Sequence, residues 1–201
     1  MHRRREMNDH LSAIVLAGGT SRRMGTDKAD LLLDGESLLA RTVRELRRIS
    51  DDVIVAGRGE VRIAGVRAVS DDPPRIGPLG GLAASLRIVR GSHAVVAAVD
   101  HPRLDAAVLR GLADLIADYD AVVPRVGGHT HPLHAVYTAS VSAVARTQID
   151  AGQGALHTLL DHLHVRWVDE DEMRRLDPNL RSLRDVDSPD DWEKESHSAE
   201  P

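Results

Sequence analysis

The 201-residue chain contains no cysteine and no phenylalanine, and only two of its 26 basic residues are lysines, Lys28 and Lys194. The lack of cysteine excludes disulfides and thiolate metal sites. The lack of phenylalanine leaves the core to Leu, Val, Ile and Ala. The scarcity of lysine makes arginine the default cation, so a lysine inside a motif is a choice rather than surface habit. Long apolar runs are missing too: no stretch of about 18 apolar residues exists, so no membrane-spanning helix is expected. The charged segment 1–10 is followed by only a short apolar run, 11–16, that enters a glycine turn; this does not read as a secretory signal, and the cytoplasm is the expected compartment. A net charge of −5 argues against a nucleic-acid partner, which would favour a basic surface.

What is present is ordinary globular composition, 42% hydrophobic and 28% charged, in a chain long enough for one domain with a sizeable core. Short runs rich in Val, Ile and Ala alternate with helical patterns. Strands are predicted at 12–16, 52–56, 66–69, 94–99, 121–123, 133–137 and 165–168. Helices are predicted at 37–49, 80–89, 105–117, 141–149, 155–162 and 188–195. In the first helix Leu38, Leu39, Val43, Leu46 and Ile49 form one stripe, with Ser37 as N-cap. The last opens on Ser188 as N-cap and Pro189 at its first position. Strands alternating with helices give a single α/β domain over 11–195, three-layered and Rossmann-like, with a mostly parallel sheet. Segments 1–10 and 196–201 read as loose tails. Such sheets bind ligands beyond the carboxyl ends of their strands, which directs attention to residues that follow strands.

The most informative of these is LAGGTSRRMGTDK, residues 16–28. Gly18, Gly19 and Gly25 allow tight turns and close backbone approach to a ligand. Backbone N–H groups in such a loop form an anion-binding nest. Arg22, Arg23 and Lys28 add charge suited to a triphosphate. The spacing is neither the GxxxxGK[ST] of a P-loop nor GxGxxG. Farther on, Asp100 ends the strand 94–99 and offers a hard oxygen ligand for Mg²⁺; the alternative is a cap for the helix near 105. Gly77-Pro78-Leu79-Gly80-Gly81 precedes a helix whose N-terminus attracts anions; the alternative is a simple helix-entry turn. His129, His131 and His134 tempt a metal assignment, but their spacing fits no standard zinc pattern.

The segment 16–28 resembles LAGGxSxRMGxDK, the signature of the molybdenum cofactor guanylyltransferase family. The resemblance extends to GPLGGL (77–82), VDHP (99–102), HPLHAVY (131–137) and DVDSPDDW (185–192), and so covers nearly the whole chain. It implies a fold of the nucleotidyltransferase type and transfer of GMP from GTP to the terminal phosphate of molybdopterin, with release of pyrophosphate. It implies that Leu16, Ala17, Gly18 and Gly19 seat the nucleotide and that Asp100 holds Mg²⁺. Lys28 and Arg23 would offset charge on the leaving pyrophosphate. Asp71, or its neighbour Asp72, would lie in the nucleotide site, with Gly77, Pro78 and Leu79 beside it. The partners so implied are GTP and molybdopterin, with molybdoenzyme maturation proteins as further candidates. Two positions depart from the family: Ala56-Gly57 stands where an asparagine is usual, and Asp185-Val186-Asp187 where Asn-x-Asn is usual. The acidic version is closer to cytidylyltransferase relatives, whereas LAGG and GPLGG favour the guanylyl branch. A nucleotide- or cofactor-binding adaptor without turnover is the alternative of a different class.

Overall fold

The computed structural model describes residues 11–18, 27–71 and 76–197. The first half runs β1 (Leu11–Leu16), a 3-10 turn (Lys28–Asp30), a small hairpin of β2 (Leu32–Leu33) and β3 (Glu36–Ser37), α1 (Leu38–Leu46), β4 (Val53–Ala56), β5 (Arg67–Val69), α2 (Pro78–Leu86) and β6 (His93–Ala98). There follow α3 (Ala106–Ala113), β7 (Ala121–Val126), β8 (His129–Thr130), β9 (His134–Thr138), α4 (Val141–Asp150), α5 (Leu156–Leu160), β10 (Val165–Val168), α6 (Glu170–Leu176), a second 3-10 turn (Arg181–Leu183) and α7 (Pro189–His197).

The central strands are buried on both faces because helices cover both. Along β1, Ala13 and Val15 point into a core shared with α1, α3 and Met173 of α6. Ile14 and Leu16 point the other way, into a core shared with α2, α4 and α5. This period of two, with both sets apolar, is why the strand reads as an unbroken apolar run. The strand order is β10-β7-β9-β6-β1-β4-β5, with β8 paired to β7. β1 is parallel to β4 and β6, and β10 to β7. β9 is the reversed strand, antiparallel to both β6 and β7. The cause is local: Gly127 and Gly128 have φ of 57° and 78°, which makes a tight hairpin, and a short connection can only join antiparallel strands. The three-layer α/β arrangement with a mostly parallel sheet is therefore as the sequence pattern predicts.

Boundaries differ where local chemistry outweighs periodicity. α2 starts at Pro78 rather than 80, because proline at the first helical position has its φ preset and needs no N–H partner. α1 and α3 stop at Leu46 and Ala113, although Ile49 and Ile116 still pack on the core from the turns that follow. β7 continues through Pro124 to Val126, and the Pro124 carbonyl accepts from His131 N–H at 2.9 Å. α6 was not predicted. It buries only Met173, so it shows no apolar stripe, yet Asp169 and Glu172 form a capping box that marks its start. α7 runs to His197, past the expected end at 195. Among the described residues no helix is long and apolar enough to cross a membrane.

Candidate active site

Lys28 opens the 3-10 turn that follows the glycine-rich segment. Asp27 caps this turn by accepting from Ala29 N–H at 3.0 Å, and the fully buried Ala29 anchors it to the core. The Lys28 ammonium is thereby aimed across the carboxyl end of the sheet. It donates to Asp100 Oδ2 at 3.0 Å and to Asp187 Oδ1 at 2.6 Å. Asp100 follows β6, whose end is tied to β1 by Val99 N–H bonding the Leu16 carbonyl at 3.1 Å. Asp187 arrives from the C-terminal segment, held by Val186 N–H bonding the Asp100 carbonyl at 3.0 Å. Val186 is itself buried, and α7 beyond it docks through Trp192 on the core and through Glu195 Oε2, which accepts from Arg103 Nε at 2.7 Å. Burial alone would lower the lysine pKa, but its bonds and attraction to Asp187 and Asp100 outweigh this and raise it. Lys28 is therefore charged at neutral pH.

Two carboxylate oxygens from distant parts of the chain converge on one cation, and together they exceed its charge by one. Hard oxygen donors in that arrangement suit Mg²⁺ or a similar divalent ion, which completes its shell with phosphate oxygens and water. Among the described residues no group of three His, Cys, Asp or Glu could hold a metal by itself.

A second group of predicted residues surrounds Leu16 on the other side of the sheet end. Ala17 N–H bonds the Ala56 carbonyl at 2.9 Å. Gly81 lies so close to its neighbours that a methyl there would sit 3.0 Å from Asp71 Oδ1 and 3.2 Å from both Ala56 Cβ and Leu16 Cδ2. Asp71 is thus packed against α2, and burial pushes its carboxyl pKa up. Gly77 caps α2 at φ 84° with no side-chain bond. The side chains of Leu16 and Leu79 belong to the core, so any contact they make with a nucleotide is through backbone. Gly19, Arg22, Arg23, Gly25 and Asp72 lie outside the described residues.

The histidines separate. His129 is exposed on β8, whereas His134 is fully buried on β9. The rings of His134 and His101 are 5.7 Å apart between centroids, and His101 Nδ1 is 3.5 Å from Asp100 Oδ1. Burial, with the nearby His101 and His131, holds His134 well below the usual imidazole pKa. Burial also lowers His131, assisted by His101 and His129 and opposed by Asp185.

Sequence reasoning settles no role for Asp187, notes Gly57 only as part of a departure from the family and passes over Arg58. Gly57 and Arg58 follow a strand at the same sheet end, which is the available signal. Arg58 grips Asp30 with both terminal nitrogens, at 3.1 and 3.0 Å, and lies 3.5 Å from Asp27.

Comparison with known proteins identifies the family and the fold. Residues 13–167 match the model of the MobA-like NTP transferase domain. A probable molybdenum cofactor guanylyltransferase from Chloroflexus aggregans is 36% identical over 191 residues, covering 90% of this chain and 91% of that protein. The chain belongs to the molybdenum cofactor guanylyltransferase family. Membership makes it a nucleotidyltransferase. Among solved structures, the molybdopterin-guanine dinucleotide biosynthesis protein A of Archaeoglobus fulgidus superposes with a TM-score of 0.82 at 26% identity, covering 92% of this chain and 97% of that one. A Mycobacterium tuberculosis protein solved in complex with manganese shares the fold at a TM-score of 0.65 and 20% identity, covering 94% and 100%. In this guanylyltransferase-family chain, the match spans the Lys28–Asp100 pair but ends before Asp187. The third member of the triad thus lies outside the matched domain.

Proposed function

We propose that this chain transfers GMP from GTP to the terminal phosphate of molybdopterin, with Mg²⁺, in the cytoplasm. The observation that carries the reading is Lys28 bonded to both Asp100 and Asp187 at the carboxyl end of the sheet. In the reaction an oxygen of the acceptor phosphate attacks the α-phosphorus of GTP. The bond from that phosphorus to the bridging oxygen of the β-phosphate breaks, and pyrophosphate leaves. The acceptor phosphate is already a nucleophile at neutral pH, so no general base is required, and catalysis consists mainly of positioning and charge neutralisation. Asp100, with Asp187 beside it, would hold Mg²⁺, which neutralises phosphate charge when bound. Lys28 and Arg23 would offset the charge that builds on the departing pyrophosphate. The backbone of Leu16, Ala17, Gly18 and Gly19 would seat the nucleotide, with Asp71 and the backbone of Gly77, Pro78 and Leu79 beside it. The product would pass to molybdoenzyme maturation proteins.

The choice of guanine rests on the glycine-only turn at Gly18 and Gly19 and on GPLGG, which together leave room for a larger base and supply backbone donors and acceptors. The acidic Asp185 and Asp187 would favour a cytidylyl reading. However, Asp187 bonds Lys28, which supports a place at the phosphates rather than at the base. A competition assay offering GTP and CTP with molybdopterin and Mg²⁺ tests the proposal. The expected product is mainly the guanine dinucleotide. Mainly cytosine dinucleotide would overturn the base assignment, and nucleotide binding without pyrophosphate release would favour the adaptor reading.

A further inference from the structure

We infer that Gly57 and Arg58, the two residues after β4, fasten the two ends of the glycine-rich loop, and that Arg58 positions Lys28 rather than binding phosphate. The inference rests on the loop being the nucleotide site. At the entry to the loop, backbone meets backbone. Gly57 has φ +84°, and a Cβ there would lie 2.3 Å from Gly18 Cα and 2.5 Å from Gly18 N. A Cβ on Gly18 would lie 2.8 Å from Gly57 Cα. Gly57 is itself held by its N–H bonding the Val69 carbonyl at 3.2 Å, so the contact is with a fixed strand end.

At the exit of the loop the fastening is ionic. The Arg58 fork takes both oxygens of Asp30, at 3.1 and 3.0 Å, and reaches Asp27 Oδ2 at 3.5 Å. These two aspartates flank Lys28. Asp27 also receives Ala29 N–H on its side chain and Asp30 N–H on its carbonyl, each at 3.0 Å, and Leu31 N–H bonds the Lys28 carbonyl at 3.1 Å. Fixing Asp27 and Asp30 therefore fixes the backbone from which the Lys28 ammonium is aimed. An arginine after a strand, beside a triphosphate loop, would ordinarily suggest a phosphate ligand. Here its fork is engaged by one carboxylate with a second alongside, and the local charge of the three groups is −1, which repels phosphate rather than attracting it. A bidentate pair is geometrically specific in a way a lysine contact is not, so the site can hold Lys28 in place before any nucleotide arrives.

The test compares the full chain with Arg58→Ala, Asp30→Asn and the double variant. Without nucleotide, hydrogen exchange at the Asp30 and Leu31 amides should quicken about fivefold in Arg58→Ala, less in Asp30→Asn, which keeps the Asp27 contact, and in the double no more than in Arg58→Ala. With Mg²⁺, calorimetry against GTP and GMP should show both single variants weakening GTP, by about fivefold in Arg58→Ala, and GMP less, because Lys28 serves the pyrophosphate end, with the double no weaker than Arg58→Ala. Unchanged exchange in Arg58→Ala would overturn the inference whatever the chain transfers, which separates its failure from failure of the guanylyl reading. A loss in Arg58→Ala confined to GTP, with Asp30→Asn binding GTP as well as or better than the wild type, would make Arg58 a phosphate ligand and overturn it equally.

Discussion

Two aspartates at opposite ends of the central sheet show how differently one side chain can be used. Asp52 precedes β4 at the amino end. Its Oδ2 accepts from Ser12 Oγ at 2.6 Å and from Arg90 N–H at 3.0 Å, and its Oδ1 pairs with the Arg67 guanidinium. Asp100 follows β6 at the carboxyl end. Its Oδ2 meets an ammonium shared with Asp187, and among the described residues its Oδ1 has a 3.5 Å approach from His101. The first carboxylate is surrounded by three donors, all on other strands or loops, so it joins β1, β4, β5 and the entrance to β6. The second is balanced by an ammonium, a charge that another cation can replace. A carboxylate saturated with hydrogen bonds serves the fold, and one held only by an exchangeable charge is available for chemistry.

The sharpest way to break the comparison is at the shared ammonium. Lys28→Ala should lower turnover by about 10²–10³, the usual loss for one transition-state donor, while the melting temperature barely moves. A folded variant within about threefold of wild-type activity would contradict the catalytic role. Asp100→Asn should likewise keep the fold and lose its Mg²⁺-dependent activity, and an unchanged Mg²⁺ activation curve would count against the metal role. Asp52→Ala should do the opposite. It leaves Arg67 without its partner and Ser12 without its acceptor, at a cost of about 2–4 kcal/mol, with kcat of the folded fraction unchanged; chemical denaturation together with turnover separates the two effects.

The smallest effect is in pH. For Asp52, burial favours the neutral acid, but the bonds from Ser12, Arg90 N–H and Arg67 outweigh it, so the folded pKa lies below the ordinary carboxylate value. The folded protein therefore gains from ionised Asp52 above the unfolded pKa, and the gain disappears as pH falls through the lower folded value. The stability gap between wild type and Asp52→Asn should shrink on acidification below about pH 4. For Lys28 the sign reverses. Its folded pKa is raised, so its contribution is complete below the unfolded value of about 10.4 and declines as pH rises through the folded one. The small stability gap between wild type and Lys28→Ala should narrow at high alkaline pH, and a gap that does not change with pH would show that it does not come from the ion pairs.

Much of this molecule was legible before folding was considered. Apolar runs marked every long strand, because strands buried on both faces need side chains that are apolar at most positions. Capping residues located the helix starts at Ser37 and Ser188, where Oγ accepts from Ala40 and Asp191 N–H respectively. Helix α6 escaped because a helix that buries one methionine carries no stripe. Residues 16–28 read as a phosphate-type loop because glycines and a rare lysine after a strand are unusual in any other role, and 19–26 of them lie outside the described residues.

The sequence by itself determined the order of strands and helices, the chemistry available at their ends, and the two residues, Lys28 and Asp100, most worth testing. Tertiary structure alone decided which charges meet. Lys28 is 72 residues from Asp100 and 159 from Asp187, and nothing in the spacing selects Asp187 over Asp185. The choice follows from the Val186 N–H bonding the Asp100 carbonyl with the Val186 side chain buried, which brings the C-terminal segment to the end of β6 with Asp187 at the ammonium. Local pattern reports which face is apolar over a few residues. The meeting of distant charges depends on backbone bonds between segments that only the completed sheet brings side by side.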